Sequence, residues 1–412
     1  MPYVRSACHS RRRSYLIISI KLRAGILFIT RLTFTMSATL SISSLAGTPE
    51  LTIPSSAQHA VEPPLELGET WGPENELQAS EIAETVKQLL IRRSEGDGLL
   101  RRDAHPKHHG CVKAFVEVNS GMLPNSLRVG IFTQGLRSQY PAWIRFSNGN
   151  PDGAKSPDNV KDIRGMALKL MEVEGTQTKT HDFVMLTSKE FIARDGEDYL
   201  QLHRALSGSS ISLGWYFITH WRNLSLVLAG QKQASNPLHL EYFSSVPYKL
   251  GDRSMKFKAR PCPSSNIESR IPTNPGPNYL RQRMVSSLQS EDTCYELHVQ
   301  PNMDPKTNNI ERANVSWDEI VSPYIKVATI TIPKQANIDS EKQLNFCENI
   351  HFDPWNSMPA TRPIGQINRM RKIIYPEIMK FRHNFNNIEN FEPLTHDICT
   401  SEADAICATP KH

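Results

Sequence analysis

Residues 367–382 read INRMRKIIYPEIMKFR, and this stretch points most directly to the fold. Its apolar residues Ile367, Ile374, Ile378 and Phe381 recur at helical spacing. That spacing predicts an amphipathic helix with one buried face. Many surface helices share such a pattern, so the polar residues between the apolar ones carry the functional information.

Within this predicted helix, Arg371 stands four residues before Tyr375. Residues four apart lie on the same helix face, and a nearby guanidinium favours the ionised form of a phenol. An ionised phenol is an anionic donor that can hold a haem iron axially. Arg382 lies seven residues beyond Tyr375 and therefore two turns along the same face.

A simpler interpretation of the same spacing competes with an iron site. An ordinary amphipathic helix often carries an arginine whose stem covers apolar surface while its head reaches water. In that case Tyr375 is a buried core residue with no ligand. A single motif match of this kind is often accidental, so other parts of the chain must decide.

Other motifs precede the helix. Arg102 and His105 stand three residues apart, Lys107 follows, and an apolar, strand-like run begins at Val112. Further motifs are RFS at 145–147, VKDIRG at 160–165, FDPWN at 352–356, and Pro359. Together with the helix, these separated motifs resemble the haem catalases, most closely the small, compact branch of that superfamily. The resemblance spans roughly residues 96–385 and departs at Ile163, where the family usually has proline.

The resemblance implies an α+β fold: an antiparallel β-barrel of the catalase type, with surrounding helices and a C-terminal helix that ligates haem. It implies haem b as cofactor and Tyr375 as the iron ligand, kept deprotonated by Arg371. His105 would be the distal base, and Ser147 would hold one of its ring nitrogens. The other residues expected to bind the cofactor are Arg102, Arg145, Phe191 and Arg382.

Strand geometry gives the distal side independent support. Side chains alternate between the two faces of a strand, so Trp143, Arg145 and Ser147 share one face. An inward-facing arginine and serine need partners. The competing interpretation is an exposed face with ordinary polar residues. We expect His108 and His109 to be loop or surface residues rather than ligands.

One departure from the catalase pattern concerns the reaction. Catalases place an asparagine amide beside the distal histidine, whereas TKTHDF at 178–183 contains none. An ungapped placement puts Thr180 at that position. Losing the amide would impair the second step of peroxide dismutation and spare the first, so Thr180 favours peroxidase chemistry.

The sequence therefore predicts a catalase-related peroxidase that uses hydrogen peroxide or an organic hydroperoxide, with an unidentified reductant. A hydroperoxide-rearranging enzyme similar to the catalase-like allene oxide synthases is a second interpretation, and a biosynthetic haem enzyme belongs with it. A third is a barrel that binds haem or lipid without catalysis. Each of these three interpretations is compatible with a homo-oligomer.

Charge and hydropathy restrict the partners. The chain of 412 residues has a formal net charge of +5, but its first 49 residues carry seven lysines and arginines and no acid. The remainder is close to neutral, which argues against nucleic acid binding. No uninterrupted apolar run approaches the roughly 20 residues of a membrane span.

The arginine- and serine-rich leader has the composition of a mitochondrial transit peptide. Met36 opens a plausible translation start, and a disordered arm is a third option. We expect a leader at 1–60, an N-terminal arm and helix at 61–95, the barrel at 96–335, a wrapping segment with the proximal helix at 336–390, and a tail at 391–412. The expected location is intracellular, in the cytoplasm or mitochondrion.

The seven cysteines are widely and irregularly spaced. This pattern favours separate reduced thiols over a disulfide scaffold or zinc site. A disulfide between Cys399 and Cys407 stays open.

Local patterns predict a mostly antiparallel β-barrel or sandwich, and the family resemblance selects the barrel. Ser80 is the expected cap of a first helix that buries Ile82, Val86, Leu89 and Leu90. Further helices are expected at 196–206 and 278–289. Strands are expected at 112–118, 142–148, 166–173, 183–187, 242–250, 295–299 and 325–332.

Overall fold

Eight antiparallel strands close into a barrel in the computed structural model. The structure describes residues 62–94, 98–133, 136–150, 156–398 and 407–408. The strands are β1 Lys107–Val118, β2 Gln139–Asn148, β3 Arg164–Met171, β4 Thr180–Leu186, β5 Tyr242–Phe243, β6 Tyr248–Leu250, β7 Arg253–Pro261, β8 Thr293–Pro301 and β9 Ile325–Ile332. The expected leader lies outside the described residues.

The ring runs through β1 to β5, then β7, β8 and β9. Pairing of β5 with β7 and of β1 with β9 closes it, and β6 is attached to β7. Closure removes the exposed strand edges that would otherwise invite pairing with other chains. The barrel implied by the family resemblance is confirmed.

Strand alternation explains where the core lies. In β2, for example, Ile144 and Phe146 point into one large apolar cluster to which β1, β3, β4, β7, β8 and β9 also contribute. Trp143 points to the opposite, outer face and packs against Phe346. The outer face of β1 to β4 is therefore covered rather than exposed, and the candidate site is built on it.

Seven helices surround the barrel in the described part of the chain. They are α1 Pro73–Arg93, α2 Gly196–Ser207, α3 Ser210–Thr219, α4 Trp221–Gly230, α5 Tyr279–Ser290, α6 Glu341–Asn349 and α7 Gln366–Asn386. Helix α1 packs across α2 and α7, where Ile82 and Val86 share a buried cluster with Leu200 and Ile374. No helix in the described ranges is both long enough and apolar enough to cross a membrane.

The position of α7 is fixed by a buried ion-pair group at its start. Glu69 accepts hydrogen bonds from Arg369 and Arg362, each at 2.9 Å. It also accepts one from the Gly365 N–H at 3.0 Å. Because this carboxylate is buried and holds two arginines, removing Glu69 would be strongly destabilising.

The first helix begins earlier than the sequence suggested. Ser80 is not its cap, because α1 starts at Pro73 with Gly72 at the N-cap position. The Asn75 side chain accepts from the Gly72 N–H at 3.0 Å, and proline is well suited to the first helical position. The apolar periodicity located the buried face of this helix but not its beginning.

Most expected strands are present, with boundaries shifted by a few residues. The strand expected at 242–250 is two short strands, β5 and β6. Strand β7 and helices α3, α4 and α6 were not predicted.

The prediction of separate reduced thiols is wrong for four cysteines. Cys111 on β1 is bonded to Cys347 on α6, with Cα atoms 5.3 Å apart, and Cys262 is bonded to Cys294 on β8, with Cα atoms 5.5 Å apart. Positions 236 residues apart in sequence cannot be paired by spacing rules. The pairing left open for Cys399 falls outside the described residues. Disulfides are typical of oxidising compartments, which weighs against the expected intracellular location.

Candidate functional site

Helix α7 brings the two proximal candidates together. The guanidinium carbon of Arg371 lies 5.9 Å from the centre of the Tyr375 ring and 4.9 Å from the centre of the Phe191 ring. Burial opposes its charge, but neighbouring Tyr375, Tyr199 and Tyr248 outweigh burial and raise the pKa of Arg371. The guanidinium is therefore a permanent cation beside the phenol.

Three further arginines form a second group, in which Arg145 and Arg382 are buried and Arg102 is partly exposed. Arg145 donates to the His105 carbonyl at 2.9 Å. Arg102 donates to the carbonyls of Glu348, at 3.1 Å, and Ile350. Arg382 donates to the Glu348 carboxylate at 3.4 Å. We call Arg102, Arg145 and Arg382 the arginine group.

The arginine group carries more charge than its protein partners neutralise. Burial, followed by the charges of Arg145 and Arg382, lowers the pKa of Arg102 well below its usual range. Burial also lowers the pKa of Arg145, to about 10. The Nε atoms of Arg102 and Arg145 are buried without a partner in the described structure. Such a group is suited to binding an anion.

The arginine group and the proximal pair belong to one site. Tyr375 contributes to the pKa of Arg102, raising it against the effect of burial. This places the phenol within electrostatic reach of the arginine group. Residues from the start of the barrel and from the last long helix therefore meet here.

His105 occupies a strained position just before β1. Its φ is 58°, in the left-handed region that few residues other than glycine adopt. Strained backbone of this kind persists only where the surroundings enforce it, and it is common at active sites. Burial, assisted by Arg145, lowers the pKa of His105 to about 3, so the imidazole is neutral near pH 7.

Two glycines make room for the His105 ring. A Cβ at Gly165 would lie 2.7 Å from His105 Nδ1 and 2.9 Å from Ser147 Oγ. A Cβ at Gly149 would lie 3.2 Å from His105 Cε1. The ring and the Ser147 hydroxyl thus lie near the same point of the barrel wall, but the expected hydrogen bond from Ser147 to Nδ1 is not formed. His105 Nδ1 has no hydrogen-bond partner in the described structure.

Thr180 does not lie beside His105. Register pairs Ser147 with Gly165 and Gly165 with Leu186, whereas Thr180 pairs with Met171 at the other end of β4. Six residues of strand separate Thr180 from Leu186, which is roughly 20 Å. Its hydroxyl instead donates to Glu392 at 2.8 Å. The proposed replacement of the distal amide by Thr180 is therefore not supported, because the ungapped placement misjudged the register.

His108 and His109 are buried on β1 rather than exposed. His109 Nε2 is 2.8 Å from Asn148 Oδ1, and Arg164 also donates to that oxygen. Neighbouring Lys107 pairs with buried Asp158 at 2.8 Å. Their burial was missed because the strand begins five residues before the apolar run at Val112.

A second buried polar cluster was missed altogether. Lys169 pairs with Asp182 at 2.8 Å and also with Glu392, on the same outer face as Arg145. Burial raises the pKa of Asp182 to about 7 and that of nearby Asp353 to about 6. The sequence did contain a signal for this cluster: Lys169 stands between Leu168 and Leu170. Because side chains alternate along β3, the lysine must point to the outer face when the leucines point to the core.

A cavity of about 860 Å³ opens next to the arginine group. Glu348, which receives Arg382, is part of its wall, together with Arg101 and His108. Tyr375, Arg371 and Phe191 do not line it. The cavity therefore adjoins the arginine side of the site and not the proximal pair.

These side chains fit a haem. Orphaned guanidinium nitrogens suit its two carboxylates, and a phenol beside a permanent cation suits its iron. In the part of the chain that the structure describes, no cluster of three or more His, Cys, Asp or Glu could hold a metal ion.

Comparisons with known proteins agree on the fold. A fungal catalase structure matches with a TM-score of 0.57 and 15% identity, over 73% of this chain and 63% of that one. Catalase A from Saccharomyces cerevisiae matches with a TM-score of 0.54 and 16% identity, over 73% and 64%. A bacterial catalase matches with a TM-score of 0.54 and 17% identity, over 76% and 62%.

The fold is therefore catalase-like, and at these identities the likeness establishes the fold alone. The chain spans less than two thirds of the length of these structures. No family model and no curated protein matches the sequence.

Proposed function

We propose that this protein is a haem-dependent oxidoreductase that activates hydrogen peroxide or an organic hydroperoxide, and that it acts as a catalase-related peroxidase. The observation that carries the proposal is the neutral, strained His105 imidazole, which the barrel wall holds close to the arginine group. The catalase-like fold supports it.

Haem b is the cofactor in this proposal. Tyr375 would hold its iron, Arg102, Arg145 and Arg382 would hold its carboxylates, and Phe191 would cover the ring. When bound, haem supplies the electrons that cleave the peroxide O–O bond. The chain's own residues bind, orient and move protons.

His105 is the proposed proton carrier. A neutral imidazole nitrogen can accept the proton of a peroxide hydroxyl and return it to the departing oxygen, which is general acid–base catalysis. Ser147, whose hydroxyl approaches the same point as Nδ1, would fix the ring orientation. Arg145 fixes the backbone through its bond to the His105 carbonyl.

Arg371 has a positioning role on the other side. Its charge is maintained by the surrounding tyrosines, and a fixed cation beside Tyr375 favours the phenolate. Asn368 accepts a hydrogen bond from Arg371 at 3.3 Å and holds it on the same helix.

Peroxidase turnover needs one peroxide per cycle and an external reductant. Oxygen evolution needs a second peroxide to be oriented, and Thr180, expected to stand in place of the orienting amide, lies at the far end of β4 and donates to Glu392. The choice between the two reactions therefore rests on measurement.

The test compares two rates on one haem-loaded preparation: oxidation of a phenolic donor and oxygen evolution from hydrogen peroxide. We expect donor oxidation to dominate. His105→Asn, which tolerates a left-handed backbone, should slow the peroxide reaction by at least about 10²-fold. The matched control is His239→Gln at an exposed histidine, which should change neither rate.

Two outcomes would contradict this proposal. Oxygen evolution that far exceeds donor oxidation would make the protein a true catalase. Consumption of a fatty-acid hydroperoxide without any reductant would replace peroxidase activity by rearrangement.

A further inference from the structure

The cavity of about 860 Å³ beside the arginine group takes no part in the proposed proton transfer at His105. Its volume lies within the range of roughly 300–1,000 Å³ that is typical of small-molecule sites. It opens where β1, α5, α6 and the end of α7 meet. Apolar side chains form part of its wall: Leu99, Leu100, Leu344 and Ile388. The cavity therefore has both the volume and the apolar surface to receive an aromatic ring.

Two polar side chains of the wall have an unused hydrogen-bonding atom. His108 Nδ1 and Glu348 Oε2 are both buried, and neither has a partner in the described structure. His108 Nε2 lies 3.6 Å from Glu348 Oε2, which is too far for a good hydrogen bond. Because buried polar atoms normally have partners, these two side chains suit a ligand that bonds to both.

The protonation of His108 restricts the ligand group that fits between them. Burial, followed by the charge of Arg145, lowers the pKa of His108 well below its usual range, so the ring is neutral near pH 7. A neutral imidazole carries one N–H donor, and a carboxylate only accepts. A hydroxyl can accept from the first and donate to the second, whereas an ammonium cannot accept and a carbonyl oxygen cannot donate.

The charge of the wall disfavours an anionic ligand. Four acidic residues and two arginines line the cavity: Asp339, Glu341, Glu348, Glu389, Arg101 and Arg281. Arg281 is already engaged, because it donates to the carbonyls of His108 at 2.8 Å and His109 at 3.2 Å. The ligand that fits is therefore a neutral molecule with a hydroxyl on an apolar ring, which is a phenol.

Glu348 connects this cavity to the proposed cofactor site. Its carboxylate accepts from Arg382 at 3.4 Å, and its carbonyl accepts from Arg102 at 3.1 Å. Both arginines belong to the group proposed to hold the haem carboxylates. His105 does not line the cavity, so a phenol bound at Glu348 would not compete with peroxide at His105.

We propose that this cavity is the reductant site of the protein and binds a neutral phenol, whose hydroxyl donates to Glu348 and accepts from His108. The inference rests on the proposed peroxidase function and names the chemical class of its reductant. In each cycle two phenol molecules lose one electron and one hydroxyl proton each and leave as phenoxyl radicals. The proton passes to Glu348 and then to the solvent. One hydrogen peroxide gains two electrons and two protons, its O–O bond breaks, and two water molecules form.

The experiment is calorimetric titration of the full-length, haem-loaded protein with guaiacol (2-methoxyphenol) without peroxide, which measures binding separately from turnover. His108→Phe removes the N–H donor and should weaken binding about 3- to 10-fold, the usual effect of one hydrogen bond. His108→Gln retains an N–H donor and should bind guaiacol more tightly than His108→Phe does. Leu344→Trp, at a partly exposed position of the wall, should weaken binding at least as much by filling the cavity.

Vanillate, which is guaiacol with an added carboxylate, tests the charge of the ligand. It should bind about fivefold more weakly than guaiacol, as expected for one unfavourable charge interaction in water. In steady-state oxidation, His108→Phe should raise the KM for guaiacol by the same factor as it weakens binding and leave the KM for peroxide unchanged. The matched controls are His239→Phe and Ile320→Trp at exposed positions, which should alter neither binding nor KM.

The outcomes separate this inference from the proposed function. Guaiacol binding and KM that stay unchanged in both His108→Phe and Leu344→Trp would overturn the reductant site, even if the wild type oxidises guaiacol. Equal or tighter binding of vanillate would overturn the choice of a neutral phenol. Binding that these variants weaken, in a protein that oxidises no guaiacol, would support the phenol site and contradict the peroxidase function instead.

Discussion

Burial and the charge of Arg145 lower the pKa of His105 and keep its imidazole neutral, while the ring lies against Gly149 and Gly165. A side chain at either glycine would meet the His105 ring. The ring is therefore held by shape, with Arg145 anchoring its carbonyl. This arrangement makes the two glycines as important for the proposed chemistry as the histidine itself.

We predict that Gly165→Ala impairs peroxide activation without removing haem. The new Cβ would lie within 3 Å of both His105 Nδ1 and Ser147 Oγ, so one of them must move. Because misplacement by about 1 Å can cost about 10²-fold, the rate of peroxide reduction should fall by that order. Gly276→Ala, where a Cβ meets nothing within 4 Å, is the control. Equal rates for both variants would show that the ring does not depend on this contact.

At the residue scale, the sequence motifs identified most residues of the candidate site, but they did not show where the strands around it begin or how those strands pair. Arg102, Arg145, Arg371, Tyr375 and Arg382 converge as the resemblance implied. Their binding and catalytic roles stay predictions. Thr180 and His109 were misplaced because strand register and strand starts depend on pairing partners, and a single sequence does not reveal these.

At the scale of elements, the disulfide between Cys111 and Cys347 ties α6 to the first barrel strand. The same helix ends next to Glu348, the carboxylate that receives Arg382. The covalent link therefore supports one edge of the arginine group.

We predict that Cys347→Ser lowers the free energy of unfolding by about 2–5 kcal/mol, the usual range for a native disulfide. Cys111→Ser and the double variant should lose the same amount, because one bond is lost in every case. Urea unfolding of the three variants measures this. Additive losses, or no loss, would mean that the bond does not form. Alkylation of the unreduced wild type should leave these two cysteines unmodified.

The elements that sequence patterns identified are those with a clear apolar period. Strand β9 was predicted with its observed limits, 325–332. Strand β7 was not predicted, although Met255, Phe257 and Ala259 alternate with Lys256 and Lys258 as in a half-buried strand. Helix α3 has no one-sided apolar period, because Leu213 and Phe217 pack inward while Ile211, Trp215 and Ile218 are exposed.

At the scale of the whole molecule, buried neutral histidines should make the fold sensitive to acid. Burial is the main cause of a low pKa in each: about 3 for His105, His109 and His181, and about 4 for His351 and His383. Below pH 6.5 the unfolded chain binds protons at these residues and the folded protein does not, so stability falls. Burial raises the pKa values of Asp182 and Asp353, so at these residues the folded protein binds protons before the unfolded chain does. These two groups therefore add stability as the pH falls, but they are fewer than the histidines.

We therefore predict that the free energy of unfolding falls between pH 6.5 and 4.5, by an amount on the order of a few kcal/mol per pH unit. Thermal unfolding across this window measures it. His109→Gln should reduce the slope, while His239→Gln at an exposed position should not. A melting temperature that is constant or rises with acid would contradict the buried neutral state.

Closure of the barrel could not be read from the sequence alone. Periodicity indicated antiparallel strands, but β5 is only two residues long and still completes the ring by pairing with both β4 and β7. The family resemblance selected the barrel, and the structure confirms it. The disulfides depend on contacts between separated segments, so no local pattern predicted them.

The central claim is that Tyr375 holds a haem iron, and the most direct measurement is the absorption spectrum of purified protein titrated with haemin. We predict a Soret band and stoichiometric binding for the wild type, with the spectrum of a high-spin ferric tyrosinate. Tyr375→Phe should lose most of the haem or change the spectrum, while Tyr140→Phe, at a buried tyrosine in β2, should match the wild type. An unchanged spectrum and haem content in Tyr375→Phe would contradict the claim.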